Sequence, residues 1–197
     1  MVSRPRSDDK REMILRAAIA VIAAEGVHGT TTRKIAAEAG INLGTLHYHF
    51  ESKEDVLSSV VSYLGALYSG NLERAFTRPE SLHDRIGSLM TFIWGEVQQN
   101  PQEQIALFDL LLYALTAGRG RDAPPLEDGP LPGLYRRALA ESSDVEDGTA
   151  KADLDQLAGF LLNGFSGLLL HWLAARDDAR AEAQLATLVL AARTIFL

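Results

Sequence analysis

The sequence predicts an all-α protein, a small head of short helices followed by a larger helical body. Three observations predict it. Apolar residues recur at helical spacing along most of the chain. The alternation that marks strands is nearly absent. Gly26 and Gly40 end the first two periodic segments, and four of the seven prolines cluster with four glycines at 118–133. The 197 residues, 47% hydrophobic and 23% charged, have the balance of a globular chain of one large or two small domains. There is no cysteine, which removes disulfides, iron–sulfur clusters, thiolate zinc sites and thiol nucleophiles together.

The elements follow in order. From Asp9 to Glu25 the residues Met13, Ile14, Ala17, Ala18, Val21 and Ile22 form one apolar stripe, and Gly26 ends that helix because glycine takes the left-handed conformation cheaply. Thr31 caps a short helix over Thr32–Ala39, which is expected to bury Ile35, Ala36 and Ala39 and stops at Gly40. Asn42 caps a third, Leu43–His49. Ser52, with Asp55 three residues on, has the spacing of a capping box for a fourth helix running to about Phe76.

Beyond Pro79 the helices lengthen. The pattern predicts helices at about 81–98 and 102–117, the latter with Pro101 near its first turn. The segment 118–133, GRGRDAPPLEDGPLPG, is a loop by its prolines and glycines. A helix at about 133–142, a loop at Ser143–Thr149, and two final helices at about 151–175 and 179–196 complete the chain. The apolar stretch 157–175 is broken by Asn163, Ser166, His171 and glycines, which predicts a buried helix rather than a membrane span. With no export signal in the polar first ten residues, the expected location is the cytoplasm, with no membrane partner.

The net charge of −7 argues against a generally basic nucleic-acid binder. Its distribution reverses that reading for one part. Residues 1–53 carry eight Lys/Arg against six Asp/Glu, and the remainder eleven against twenty. Phosphate repels such a body, so only the head faces nucleic acid.

The segment Thr31–Lys53, TTRKIAAEAGINLGTLHYHFESK, places two short helices around a turn at Gly40–Asn42. This is helix-turn-helix spacing, in which the second helix enters the major groove. Seven residues are too few for a stable isolated helix, so Leu46 and Phe50 are expected to pack on Ile35 and the first helix. That leaves Leu43, Gly44, Thr45, His47, Tyr48 and His49. These are mostly small or hydrogen-bonding residues, as close approach to phosphates and base edges requires.

On these residues the segment Arg11–Leu57 resembles the DNA-binding head of the TetR (tetracycline repressor) family of transcriptional regulators. The resemblance is carried by EG at 25–26, TTTRKIAAEAG at 30–40, GTLHYHF at 44–50 and SKEDVL at 52–57. His47 stands where the family usually has Tyr. The resemblance implies DNA contacts by Thr32, Arg33, Thr45, His47, Tyr48 and His49, and a phosphate contact by Lys53. Arg4, Arg6 and Lys10 add a possible arm. It divides the chain into a DNA-binding domain at 1–53 and an effector-binding and dimerisation domain at 54–197.

The resemblance further implies a homodimer on a palindromic double-stranded DNA operator, released by a small molecule. Such a regulator needs no cofactor and no metal. His47 and His49, two apart on a helix, point away from each other. The apolar stripes containing Leu161, Phe165 and Leu168, and Leu185 and Leu188, are expected at the dimer interface. The ligand wall is expected from Met90, Ile93, Trp94, Phe108, Leu112 and Asn163. No Lys or Arg lies between Ile86 and Leu115. This predicts an apolar, neutral or cationic effector, with Glu96, Glu103 and Asp109 free for a cation and Arg85, Arg119 and Arg136 at the rim. An activator or architectural DNA binder with the same head is the alternative. An all-helical enzyme is the remote one, since no nucleophile–base spacing, HExxH or phosphate-binding glycine loop is present.

Overall fold

A computed structural model describes residues 7–116, 130–148 and 150–197. Among them every regular element is a helix. These are α1 (Ser7–Gly29), α2 (Thr32–Glu38), α3 (Leu43–His49), α4 (Lys53–Ala75), α5 (Leu82–Gln99), α6 (Pro101–Thr116), α7 (Pro130–Ala140), α8 (Ser143–Glu146), α9 (Leu154–Ala175) and α10 (Asp178–Phe196). Arg4, Arg6, Arg119 and the expected loop up to residue 129 lie outside the described residues.

The chain forms two compact units. The first contains α1, α2, α3, α4 as far as Ala66, and α6. The second contains α4 from Leu67, α5, and α7 to α10. The first unit thus runs past residue 53 and takes in α6, a helix from the part of the sequence assigned to the body.

In the first unit Ile14, Ala18 and Ile22 of α1 are buried together with Ile35, Leu46, Phe50, Val56, Val60 and Leu64, and α6, packed on α1, adds Ala106 and Leu110. Met13, counted in the α1 stripe, is exposed instead. The regular helix of α1 ends at Gly26, as expected, and a further single turn, to Gly29, follows the kink. Gly26 takes φ 73° and ψ 164°, and that break redirects the chain towards α2. Thr31 caps α2, its hydroxyl accepting from the Lys34 N–H at 3.3 Å, and Asn42 caps α3, accepting from Thr45 N–H at 2.8 Å. Between them Gly40 takes φ 64°. At α4, Ser52 Oγ accepts from Asp55 N–H, and the Asp55 carboxylate accepts in return from Glu51 N–H rather than from Ser52.

The second unit is built around α9. Its buried residues Leu157, Leu161, Phe165, Leu168 and Trp172 pack with buried residues of α5, α7 and α10. Trp94 and Trp172 meet edge-to-face at 5.1 Å. α9 is the one helix among the described residues long and apolar enough to cross a membrane by length and composition. Gly164 lets α10 approach: a Cβ there would lie 2.5 Å from a Leu188 methyl.

Two expected boundaries move. α7 starts at Pro130, earlier than predicted, because a proline in a first turn lacks only an N–H with no helical acceptor. The expected loop at 143–149 contains α8. Asp144 is held there for a reason invisible locally: its carboxylate accepts from the Leu82 N–H at 2.7 Å and caps α5.

Candidate nucleic-acid interface

The expected recognition surface is α3, held from behind. Leu46 is fully buried and Phe50 nearly so. Burying a side chain of that size stabilises by about 1.5–3 kcal/mol, which a seven-residue helix requires from its neighbours. On the other side Gly44, His47 and Tyr48 are exposed, with Leu43, Thr45 and His49 partly so. Tyr48 is 83% exposed, so it contributes nothing to the core and is available to a ligand. Its ring meets His49 edge-on at 5.1 Å. A phenol, two imidazoles and a hydroxyl on one short helix supply donors and acceptors for phosphates and base edges.

Thr32 is half-buried and Arg33 exposed at the start of α2. Lys34 is tied down: its ammonium pairs with Glu25 and donates to the Gly29 carbonyl at 2.9 Å. Lys53 also has an internal partner. Its Nζ donates to the Val27 carbonyl at 2.6 Å, which brings the ammonium to the α1–α2 turn, beside the start of α2. Thr32, Arg33, Lys53 and α3 thus share the first unit.

Two residues of this unit support the surface without having been read from the sequence in that role. Arg11 of α1 donates from Nη1 to the His49 carbonyl at 3.1 Å and from Nη2 to Ser59 Oγ at 2.9 Å. Its guanidinium lies 4.3 Å from the Phe50 ring centre. A cation at a helix C-terminus meets the negative end of the helix dipole, so Arg11 holds α3 by its last turn. The second residue is Asp109 of α6, whose carboxylate accepts from the Val27 N–H.

The expected ligand residues fall in both units. Met90 and Trp94 are buried on α5 in the second unit, and Ile93 is half-buried there. Asn163, also in the second unit, is exposed; Phe108 is half-buried and Leu112 exposed on α6 in the first. The charge expectation is corrected at several points. Asp109 is taken by Val27, Glu96 accepts from Asn71, and Glu103 is buried, so these are not exposed acids free for a cation. Arg85 is not at a rim: it is 2% exposed, 3.6 Å from Glu80 and 4.6 Å from the Phe76 ring centre.

The residues expected at the dimer interface lie on α9 and α10 of the second unit. Leu161, Phe165, Leu168 and Leu185 are buried within the second unit itself, because the stripes of α9 and α10 pack on each other and on α5 and α7. Leu188 is half-buried against Gly164. The large apolar residues that α9 and α10 leave exposed are Leu170, Leu190 and Ile195.

Comparison with known proteins agrees with this architecture. Residues 14–60 match the model for bacterial regulatory proteins of the tetR family. The HTH-type transcriptional repressor KstR2 of Mycolicibacterium smegmatis is 37% identical over 157 residues, which is 78% of this chain and 72% of that repressor. The nicotine-responsive transcriptional repressor HdnoR of Paenarthrobacter nicotinovorans is 24% identical over 106 residues, 54% of this chain and 55% of its own length. The chain spans about half the length of several curated relatives it matches, this one included. The fatty acid degradation regulator FadR of Bacillus halodurans has the same fold, with a TM-score of 0.73 at 19% identity over 98% of this chain and 96% of that one. The chain therefore belongs to the tetR family of bacterial regulatory proteins, DNA-binding transcriptional regulators with a helix-turn-helix head.

Proposed function

We propose that this protein is a transcriptional repressor that binds a palindromic DNA operator as a homodimer and releases it on binding a small molecule. The observation that carries the reading is α3: Leu46 and Phe50 anchor it from behind while Gly44, His47 and Tyr48 stand free. Thr32 and Arg33 start α2 beside it, and Lys53 supplies a cation at the turn. Phosphate contacts by Thr32, Tyr48 and Lys53 fix register, and Arg33, Thr45, His47 and His49 reach base edges. Functionally the DNA-binding part is residues 1–53 and the remainder serves effector binding and dimerisation. The role is regulatory rather than enzymatic, and it is exercised in the cytoplasm.

Two copies require two half-sites related by the same symmetry. The surface proposed for the second copy is the exposed face of α9 with Asn163, Gly167 and Leu170, next to that of α10 with Leu190. The effector is proposed to be small and largely apolar. HdnoR, a relative, is nicotine-responsive, which supports a small-molecule signal. Buried Arg85 puts a cation inside the second unit, so apolar anions belong beside neutral and cationic compounds in the screen.

The test is selection from a random duplex pool by the purified protein. An enriched inverted repeat is the expected result, and no enrichment overturns the reading. Titration of the selected complex with the compound panel then reads release.

A further inference from the structure

Gly26 creates a problem that the structure solves at one atom. With ψ at 164°, the glycine breaks the α1 hydrogen-bond ladder, so the next amide, Val27 N–H, loses its helical acceptor. Val27 is fully buried, so water does not replace it, and a buried N–H without a partner is costly. The acceptor present is the carboxylate of Asp109, 82 residues on, in the middle of α6. The Gly26 Cα faces the same carboxylate: a Cβ there would lie 3.3 Å from Asp109 Oδ2.

The orphaned amide belongs to the turn that starts the DNA-contacting part. The Gly26 carbonyl accepts from Thr30 Oγ1 at 2.8 Å and from Thr30 N–H at 3.1 Å. The Val27 carbonyl accepts from Lys53 Nζ at 2.6 Å. Thr30 is fully buried, and the next residue, Thr31, is the N-cap of α2. One turn later on α6, Tyr113 meets His28 edge-on at 5.4 Å. The turn is thus held from outside the helix-turn-helix by α6, with Asp109 gripping its first amide and Lys53 its next carbonyl.

We propose that Asp109 is a positioning residue for DNA binding. By holding Val27, its carboxylate sets both the start of α2, with Thr32 and Arg33, and the place of the Lys53 ammonium. The proposal rests on the reading of the head as the DNA-binding surface. A lost acceptor lets the turn relax, which misplaces groups that must reach one strand together. Sequence-specific affinity falls, while non-specific attraction, which needs only the charges, is kept.

The experiment compares the full-length parent with Asp109→Leu, Asp109→Ser and Asp109→Asn. Each is titrated by fluorescence anisotropy against the duplex that the parent selects from a random pool and against a scrambled duplex. Asp109→Leu and Asp109→Ser are expected to lose at least tenfold in affinity for the selected duplex and less than twofold for the scrambled one, with helical circular dichroism retained. Asp109→Asn, whose amide oxygen still accepts from Val27, is expected to recover most of the loss. Where Asp109→Leu does not fold, Asp109→Ser decides, since it keeps the site polar but is too short to reach. Selected-duplex affinity within twofold of the parent in a folded Asp109→Ser overturns the proposal, as does equal loss on both duplexes. A parent that selects no sequence refutes the DNA-binding reading instead. In that case amide exchange decides the Asp109 contact: a Val27 N–H that exchanges equally fast in parent and Asp109→Ser overturns it.

Discussion

Arg11 and His49 lie at opposite ends of the head's sequence, yet Arg11 Nη1 donates to the His49 carbonyl at 3.1 Å. This bond ties the first turns of α1 to the last residue of the recognition helix. With the second bond to Ser59 and the stacking on Phe50, it sets how α3 is tilted on its support. Arg11→Met keeps the helix and the apolar stem but cannot donate. It is expected to cost about 1–2 kcal/mol of stability, the scale of a charged hydrogen bond and a cation–π contact at a partly exposed site. Operator affinity is expected to fall with it, through the position of α3. Chemical denaturation and a gel-shift titration of the same preparation check both.

Arg33 and Lys53 separate by their partners. Arg33 is exposed on α2, so Arg33→Ala is expected to weaken operator binding by about 1–3 kcal/mol and to leave the thermal midpoint nearly unchanged. Lys53 has both a proposed phosphate and an observed carbonyl partner, Val27. Lys53→Ala is therefore expected to lower affinity for all sequences alike, to reduce the salt slope by about one unit, and also to lower the thermal midpoint. Binding measured at several salt concentrations, with a melting curve for each variant, distinguishes the two patterns.

The residues legible in the sequence are those whose cause is local. Thr31 and Asn42 announce the starts of α2 and α3 because a cap bonds two or three residues away. Gly26 and Gly40 announce breaks because their backbone angles are positive. The motif at 44–50 places the short helix α3, with Leu46 on its buried side. What was not legible depends on groups brought together from afar: Arg11 to His49 across 38 positions, Leu82 to Asp144 across 62, Val27 to Asp109 across 82. An acid in an apolar helix reads as an open charge until its partner is seen. The stripes of α9 and α10 show a different limit. Periodicity says that Leu161 and Leu168 are buried, but not whether their own chain or a second copy buries them.

That distinction predicts opposite outcomes for two leucines. Leu168 is 7% exposed inside its own protomer, and Leu190 is 65% exposed on α10. Leu168→Glu buries an unpaired carboxylate and is expected to destabilise the fold by several kcal/mol. Leu190→Glu leaves the protomer folded and, on the proposed α9–α10 surface, converts dimers into monomers. Sedimentation velocity and thermal melting of the two variants make the check. A folded, dimeric Leu190→Glu protein moves the interface elsewhere.

The last prediction concerns alkali. Tyr63 of α4 donates its phenol to Glu12 of α1 at 3.1 Å, and Glu12 is held in turn by Arg16 at 2.9 Å. Burial first, and then the bond to Glu12, push the Tyr63 pKa up to about 12, against a partial opposing pull from the Arg16 charge. The folded state therefore keeps a proton that the unfolded chain gives up near pH 10. Linkage sets the sign: this stability is fully present below about pH 10 and is lost as the pH rises towards 12. Glu12 contributes in the other direction. The hydrogen bond from Arg16, and then that from Tyr63, lower its pKa, so its share is present above the ordinary carboxylate range and is lost as the pH falls. That share is small, because both ends of the ion pair are half-exposed and solvent screens them. Tyr63→Phe removes the alkaline loss while sacrificing one exposed hydrogen bond. Urea midpoints for parent and variant at pH 8, 10 and 11.5 test this. The parent is expected to be as stable as the variant or more so at pH 8 and to lose more of its midpoint by pH 11.5. Parallel pH profiles would show that the phenol remains protonated in both states or in neither, and that its burial carries no alkaline linkage.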